Sequence, residues 1–384
     1  MWRRNLWTWL GLTIAILVFA ACGGGGGGDG SSSGTLSVSL SDSTLPGFRA
    51  IYVTVDEVHA HRSDGDGWVT VGTPSKTVDL LTLINGVREE LGVAELATGH
   101  YTQLRLLLGS SPDASLNLLS QPHPYANYFI DDTDTAVELK VPSGLQTGIK
   151  IVNGFNINEN QTTELILDFD AMRSVVKAGS SGKWLLKPTI KVLDTASYSI
   201  ASGTVRDGAD AGIEGVMVSA QSFDETAADE RDKVIVEAAT ITDADGNYKL
   251  FLAPGNYNLV AFRSSASDAD GPACTQLSAQ AETVHSVDFA LTFTDQIGTI
   301  AGTVTIAEPL TDQHATLSFR QLVSCGAATP SVELLAVNVA AGGTYGVDLP
   351  EEDYRVVAST YDHATQAVSA TVASGEETTV DFDF

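Results

Sequence analysis

The sequence predicts an all-β protein in which three β-sandwiches follow one another along the chain. Short runs of alternating residues are separated by Gly, Pro, Asn and Asp, a pattern typical of strands joined by tight turns. Continuous amphipathic helical patterns are scarce. One phrase recurs: a turn, a tyrosine and an alternating run stand at "APGNYNLVAF" (253–262), "ATGHYTQLRLLL" (97–108) and "PEEDYRVVAS" (350–359). Repeated sandwiches account for all three observations.

The length and the net charge of the chain limit the classes of protein that it can belong to. A chain of 384 residues favours two or three domains, and 43% hydrophobic residues are enough for packed cores. The 21 lysines and arginines stand against 48 aspartates and glutamates, which gives a formal net charge of −27. Such a surface repels nucleic-acid phosphates and anionic lipids, so the sequence indicates no nucleic-acid partner. We interpret the acidity as serving solubility.

The N-terminus is predicted to direct export. Residues 1–21 combine a basic start, an apolar run from Leu6 to Phe19 and small residues, which is typical of a secretory signal peptide. Ala20-Ala21-Cys22 resembles the lipobox of bacterial lipoproteins. That resemblance implies acylation of Cys22, a lipid anchor in the membrane, and a location at the outer membrane or cell surface. Residues 22–34 form a Gly/Ser tether, about 20 Å long as a random coil.

Three anchors recur in the same order at nearly one period. Gly203, Tyr257 and Asp288 correspond to Gly302, Tyr354 and Asp381. Tyr101 and Asp168 repeat the last two anchors in a longer N-terminal copy, whose extra residues fall within 109–147. The predicted sandwiches therefore span 35–194, 199–292 and 297–384. Each tyrosine is expected to lock a corner by binding backbone through its hydroxyl, and only 81–96 favours a helical turn.

Two known families share these motifs. "SGTVRDGADAGIEGVMVSAQ" and "TDADGNYKLFLAPGNYNLVAF" resemble the carboxypeptidase regulatory-like domain, and 299–384 resembles a divergent second copy without the Pro-Gly corner. The resemblance implies a transthyretin-like or immunoglobulin-like sandwich of the carbohydrate-binding-like group. "IYVTVDEVHAHR", "KVPSGLQTGIKIV" and "KWLLKPTIKVL" within 34–194 resemble the bacterial lipoprotein domain of unknown function 4382. That family implies no activity.

Two signatures of catalysis are missing from the sequence. It contains no phosphate-binding glycine loop and no H-E-x-x-H. Asp168 and Asp170 share a strand face and are interpreted as capping a strand end, because glycosidase carboxylates flank a cleft from opposite sides. His59 and His61 lack a third metal ligand. The chain is therefore predicted not to be an enzyme.

The candidate ligand-binding residues are aromatic. Tyr125, Tyr128 and Phe129 lie among Pro, Asn and Asp in the loop-rich stretch 120–135, and Trp68 shares a strand face with a threonine. Rings beside amides and carboxylates suit sugars, and loops on a rigid sandwich are where binding sites collect. The alternative is that these rings only cover the sheet.

Two further pairs of residues have predicted roles, one in binding calcium and one in forming a disulfide. Asp243 and Asp245 in "TDADGNY" begin like a calcium loop, the one cofactor considered, although an Asp-Gly pair also suits a hairpin turn. Cys274 and Cys325 lie in different repeats, so they form either a disulfide between neighbouring sandwiches or two free thiols.

These observations together predict an envelope lipoprotein that binds rather than catalyses. A glycan is the first expected ligand. The alternatives are a structural or adhesive spacer that contacts another envelope protein, and an undetected hydrolase within 35–194.

Overall fold

The computed structural model describes residues 32–43, 48–65, 67–84, 86–141, 148–178, 183–309 and 313–384. The predicted signal peptide and Cys22 lie outside the described residues. Ser32 to Phe384 form one compact unit. The fold is all-β, as predicted, and the helices among the described residues are single turns: α1 (Ala171–Ser174) and the 3₁₀ turns Leu80–Thr82, Thr195–Ser197 and Glu230–Lys233. Among the described residues, no helix is long and apolar enough to cross a membrane.

The first sandwich contains strands β1 to β14. Its strands are β1 (Ser33–Ser43), β2 (Ala50–Arg62), β3 (Trp68–Gly72), β4 (Lys76–Asp79), β5 (Glu89–Ala97), β6 (Gly99–Leu108), β7 (Asn127–Ile130), β8 (Ala136–Lys140), β9 (Ile149–Ile151), β10 (Phe155–Ile157), β11 (Thr162–Asp170), β12 (Val175–Ala178), β13 (Lys183–Leu186) and β14 (Ile190–Asp194). One sheet has the order β14-β11-β1-β5, and the other is built around β2 and β6.

The second sandwich contains β15 to β23. These are β15 (Ser199–Arg206), β16 (Met217–Phe223), β17 (Val234–Ile241), β18 (Asn247–Leu252), β19 (Gly255–Ser264), β20 (Ala269–Ala279), β21 (Val284–Ser286), β22 (Phe289–Ala290) and β23 (Phe293–Thr294). Its sheets have the orders β18-β15-β21 and β17-β16-β19-β20-β23, and β22 also pairs with β15.

The third sandwich contains β24 to β31. These are β24 (Ile297–Thr305), β25 (His314–Leu322), β26 (Ser331–Ala340), β27 (Gly343–Pro350), β28 (Asp353–Thr360), β29 (Gln366–Thr371), β30 (Glu377–Thr379) and β31 (Phe382–Asp383). One sheet is β27-β24-β30. The other, β26-β25-β28-β29, continues into the first sandwich where Lys177 of β12 pairs with Val339 of β26.

The three sandwiches share one strand topology. The opening strand of each (β1, β15, β24) pairs antiparallel with the strand before the tyrosine corner and parallel with the closing strand. The tyrosine-bearing strand (β6, β19, β28) pairs antiparallel with the first strand of the opposite sheet. The predicted correspondence of the longer N-terminal copy is therefore confirmed.

The tyrosine corners are also confirmed. The hydroxyls of Tyr101, Tyr257 and Tyr354 each donate to the carbonyl four residues upstream, at 3.0, 2.8 and 2.9 Å respectively. Each ring is buried, so the bond satisfies a polar group that would otherwise be stranded in the core.

The glycine anchors have a steric cause. A Cβ on Gly203 would collide with the carbonyl of Val287, and one on Gly302 would collide with that of Val380. Asp288 accepts from the amide of Thr204 at 2.8 Å, and Asp381 does the same for Thr303. In the first sandwich Asp168 accepts from the Ser41 hydroxyl, at 3.3 Å.

The insertion predicted within 109–147 adds β7 and β8, which extend the second sheet outward from β2. The helical turn expected in 81–96 is the short 3₁₀ turn, and most of that range is strand β5.

The cores of the second and third sandwiches meet. Val260 and Phe262 belong to the second sandwich, yet their side chains are part of the apolar cluster of the third, which also includes Phe319 and Val356. Alternation along β19 causes this, because Leu259 and Ala261 face the core of the second sandwich and their neighbours face outward.

Candidate functional site

The outer face of the second sandwich is divided in two. At one end Val260 and Phe262 are covered by the third sandwich. Toward the other end the same face carries polar side chains: Asn258 of β19 stands between Gln221 of β16 and Gln276 of β20 in the strand register. At this end Asn256 and Gln276 are exposed to solvent, whereas Asn258 is 8% exposed and Gln221 is buried.

The polar end is one wall of a groove of about 650 Å³ between the second and third sandwiches. We call it the amide groove. Its polar lining is Asn256, Asn258, Gln276, Ser278 and Glu225. Phe223, the last residue of β16, presents a ring that is 37% exposed, and the opposite wall is formed by residues 328–330 of the third sandwich.

The side-chain carboxamides of the amide groove are available to bind a ligand. Within the described chain, the side chains of Asn256, Asn258 and Gln276 make no hydrogen bond to protein. Gln221, on the same face, is fully used, since its amide bonds both the backbone N–H and the carbonyl of Glu333. A carboxamide offers two donors and an acceptor. The groove therefore presents a row of hydrogen-bonding groups beside an aromatic ring.

A disulfide fixes the two walls of the amide groove. Cys274 of β20 and Cys325 of the third sandwich are joined, with Cα atoms 4.7 Å apart. Cys274 lies two residues from Gln276 and so on the same face of β20. Cys325 also bridges to Ala328, which sets the course of the opposite wall. Free thiols at these positions, the other alternative, are not what the structure contains.

The strands of the first sandwich coincide with a known family. Residues 33–188 match the family described as "Domain of unknown function (DUF4382)". The match ends just after β13, so the amide groove lies outside the residues that match this family. No curated protein matches the chain.

Solved structures resemble the chain only weakly. The Bacillus anthracis TIE protein has a TM-score of 0.21 at 11% identity, over 92% of this chain and 50% of its own. A streptococcal ancillary pilin has a TM-score of 0.21 at 12% identity, over 91% of this chain and 98% of its own. The shaft pilin SpaA from Lactobacillus rhamnosus GG has a TM-score of 0.20 at 11% identity, over 49% of this chain and 97% of its own. The chain spans half the length of the first, and scores this low support no inference.

The aromatic prediction in the DUF4382 domain is wrong for two residues. Tyr128 and Phe129 are 0% and 2% exposed, because β7 is covered on both faces. Phe129 packs edge-on against Phe48 and Trp184, at 4.6 and 5.0 Å between ring centroids, and Tyr128 stacks on Tyr52 at 4.8 Å. Neither ring can meet a ligand from solvent.

The other two predicted rings lie apart. Tyr125 is 39% exposed and its ring centroid lies 6.3 Å from that of Tyr128. Trp68 pairs with His61 at the opposite end of β2, and the Arg105 guanidinium covers its ring at 4.0 Å. The structure therefore does not assemble the predicted aromatic surface.

A polar cluster in the insertion went unnoticed in the sequence. The Ser115 hydroxyl lies 3.0 Å from Nε2 of His123, whose Nδ1 lies 2.8 Å from the Tyr128 hydroxyl. Asp113 accepts from the same Ser115 hydroxyl at 2.5 Å. In a serine-hydrolase triad a carboxylate orients the far imidazole nitrogen, and here a phenol occupies that position. Burial lowers the pKa of His123. The cluster fastens the loop that precedes β7 to that strand.

Calcium binding at Asp243 and Asp245 stays a prediction, and the structure shows local hydrogen bonds for one of the two carboxylates. Asp243 accepts from the backbone N–H groups of Asp245 and Asn247 at 3.0 and 2.8 Å, so its carboxylate closes the hairpin turn. Asp245 is exposed. Across the described residues, no group of three or more His, Cys, Asp or Glu side chains is placed to hold a metal ion.

Asp168 and Asp170 occupy different environments. Asp170 ends β11 and caps α1, accepting from the Arg173 backbone N–H at 2.9 Å, which fits the predicted end-capping role. Asp168 pairs across the sheet with Lys191. Burial, and then the charge of Asp170, raise the pKa of Asp168 to about 7.

Proposed function

We propose that the protein is an exported, non-catalytic module that binds a glycan in the amide groove. The observation that carries the proposal is the set of three uncommitted carboxamides, Asn256, Asn258 and Gln276, beside the exposed ring of Phe223. Sugar hydroxyls pair with amide donors and acceptors, and the apolar face of a sugar ring packs on an aromatic side chain. A site built to hydrogen-bond hydroxyls rejects ligands that lack them.

The composition of the groove favours binding over hydrolysis. Glu225 is the one carboxylate among the residues that line it. Glycoside hydrolysis generally needs a pair of carboxyl groups flanking the scissile bond. The resemblance of 202–262 to carbohydrate-binding-like sandwiches supports the same ligand class.

Export and anchoring are supported by the N-terminal sequence. The basic and apolar segment followed by Ala20-Ala21-Cys22 supports a lipid anchor at the outer membrane or cell surface. A disulfide between Cys274 and Cys325 fits an oxidising compartment outside the cytoplasm.

A rigid spacer that contacts an envelope protein is the second candidate. It is favoured by the junction of the three sandwiches, where Arg173 of the first bonds Glu333 of the third. Arg320 of the third sandwich, which is 3% exposed, donates to the carbonyls of Glu230 and Arg231 of the second. Such links hold domains in one orientation, as a spacer requires.

A glycan array tests the first candidate. The soluble chain from Ser32 to Phe384 is applied beside the triple variant Asn256→Ala, Asn258→Ala, Gln276→Ala, with Gln161→Ala as an exposed-amide control. We expect selective binding by the wild type and the control, and loss in the triple variant. Absence of any ligand above background contradicts glycan binding. Recovery of one envelope protein by wild type and triple variant alike would then favour the spacer.

A further inference from the structure

A second polar surface lies on the first sandwich, on the outer face of the sheet β3-β2-β6-β9. Arg105 of β6 stands directly opposite Lys150 of β9 and, on its other side, opposite His59 of β2. Trp68 and Thr70 of β3 continue the same face. We call this surface the cationic face.

Two like charges directly opposite on adjacent strands destabilise a sheet. The chain is rich in acids, and Arg62, Lys76 and Arg88 of the same sandwich each pair with one. In the described part of the chain, neither Arg105 nor Lys150 forms an ion pair with an acidic side chain. The pair is therefore an unfavourable arrangement that an anionic ligand would relieve.

Arg105 is oriented for recognition. Its guanidinium carbon lies 4.0 Å over the Trp68 ring, and the His61 ring lies 5.1 Å from the same indole. The planar guanidinium of an arginine can match a carboxylate with two parallel hydrogen bonds, and it can stack on an aromatic ring at the same time. The Nε atom of Arg105 is buried and has no hydrogen-bond partner.

The neighbours of the pair suit a sugar acid. Thr70 is exposed and Gln103 is half-buried on the same face, and they offer hydroxyl and amide groups beside the charges. Lys150 is exposed and also lines a groove of about 500 Å³ between the first and second sandwiches, together with Asn153.

The overall charge of −27 does not cancel this local site. At physiological salt, charges separated by more than about 8 Å are largely screened. The acids on neighbouring positions are engaged: Glu57 contacts His59 at 2.6 Å, and Asp64 contacts Arg62 at 2.8 Å. Arg105 and Lys150 supply two positive charges that stand opposite each other on β6 and β9.

We propose that the cationic face binds the carboxylate of an acidic polysaccharide, with Arg105 gripping the carboxylate and Lys150 adding a second charge. This site is separate from the amide groove and does not depend on it. The partner is identified by its chemistry: a uronate-bearing polymer in which each sugar unit combines one carboxylate with several hydroxyls.

Affinity electrophoresis of the chain 32–384 in gels containing polyuronate tests the proposal. Dextran, a neutral polymer, is the reference. We expect polyuronate to retard the wild type, and Lys150→Gln and Arg105→Gln each to weaken binding at least about tenfold, the loss of a charge-assisted hydrogen bond. Lys140→Gln removes one exposed lysine elsewhere on the same sandwich and should bind like the wild type.

The outcomes separate this proposal from that for the amide groove. The Asn256, Asn258 and Gln276 triple variant should retain polyuronate binding. Lys150 is exposed on an edge strand, so Lys150→Gln reports on binding even if Arg105→Gln unfolds. The proposal is overturned if polyuronate does not retard the wild type, if Lys140→Gln weakens binding equally, or if anionic vesicles bind in place of polyuronate.

Discussion

Gln221 and Glu333 form a reciprocal pair of hydrogen bonds across the boundary between the second and third sandwiches. The Gln221 amide donates to the Glu333 carbonyl at 2.6 Å and accepts from its N–H at 2.8 Å. A side chain of one sandwich thus completes the backbone bonding of another. Glu333 in turn accepts from Arg173 of the first sandwich, so one residue ties all three together.

Removing the Gln221 amide should destabilise this junction. Both residues are buried, at 1% and 5% exposure, so Gln221→Ala strands the Glu333 N–H and carbonyl away from water. We expect a loss of about 1–3 kcal/mol in the free energy of unfolding, measured by urea denaturation. Gln276→Ala, an exposed glutamine of the same sandwich, is the control. Equal stability of Gln221→Ala and wild type would show that the junction contributes nothing.

The tyrosine corner of each sandwich should contribute to the stability of the protein. Tyr101→Phe, Tyr257→Phe and Tyr354→Phe each remove one buried hydroxyl bond and leave a carbonyl without its partner. Each should cost about 1 kcal/mol in thermal or urea unfolding. The matched control is Tyr125→Phe, whose hydroxyl belongs to an exposed ring. A loss in Tyr125→Phe as large as in the corner variants would contradict the corner role.

Asp168 should make stability fall as the pH rises. Its pKa is about 7 in the folded protein against the ordinary value of 3.8, so the folded state holds the proton more tightly than the unfolded chain. Raising the pH from about 4 to 7 therefore lowers the free energy of unfolding, by about 1.4 kcal/mol for each unit of pKa difference. Asp168→Asn should remove the part of this fall that Asp168 contributes.

Asp79 provides an internal comparison for that experiment. Burial raises its pKa to about 6, so its own contribution to the fall ends about one unit lower. In Asp79→Asn the fall in the free energy of unfolding between pH 6 and 7 should remain. In Asp168→Asn the fall over this pH range should disappear. Unfolding midpoints measured from pH 4 to 8 check both variants, and a flat wild-type profile would contradict the assignment.

The disulfide should stabilise the chain and hold the amide groove open. Replacing Cys274 and Cys325 by serine should cost about 2–4 kcal/mol. The same double substitution should also lower the affinity of the amide groove for its ligand, because the wall at 328–330 loses its link to β20. Thiol titration of the native protein checks the bond itself. Immediate reaction of these two cysteines with a thiol reagent would show that they are not joined.

Local sequence signals predicted the frame well. The turn, tyrosine and alternating run specify each corner by short-range chemistry, and Tyr257 bonds a carbonyl only four residues away. The glycine of G-x-V is required because a Cβ at Gly203 would meet Val287. Such constraints act within a repeat, so they recur with it.

The sites depend on contacts that no local pattern encodes. Asn256 and Asn258 appear in the sequence as ordinary outward residues of a strand, and only the docking of the third sandwich makes them a groove wall. Arg105 and Lys150 become opposite neighbours only through strand pairing across the insertion. Tyr128 and Phe129 misled because a loop-rich composition concealed the buried strand β7.

The most direct test of the central claim is the ¹H–¹⁵N spectrum of the side-chain amides. The best-bound glycan of the array is titrated into the labelled chain 32–384. We expect the amide signals of Asn256, Asn258 and Gln276 to shift with saturation, while those of Gln161 stay in place. If the glycan binds and these three signals do not move, the amide groove is not the binding site.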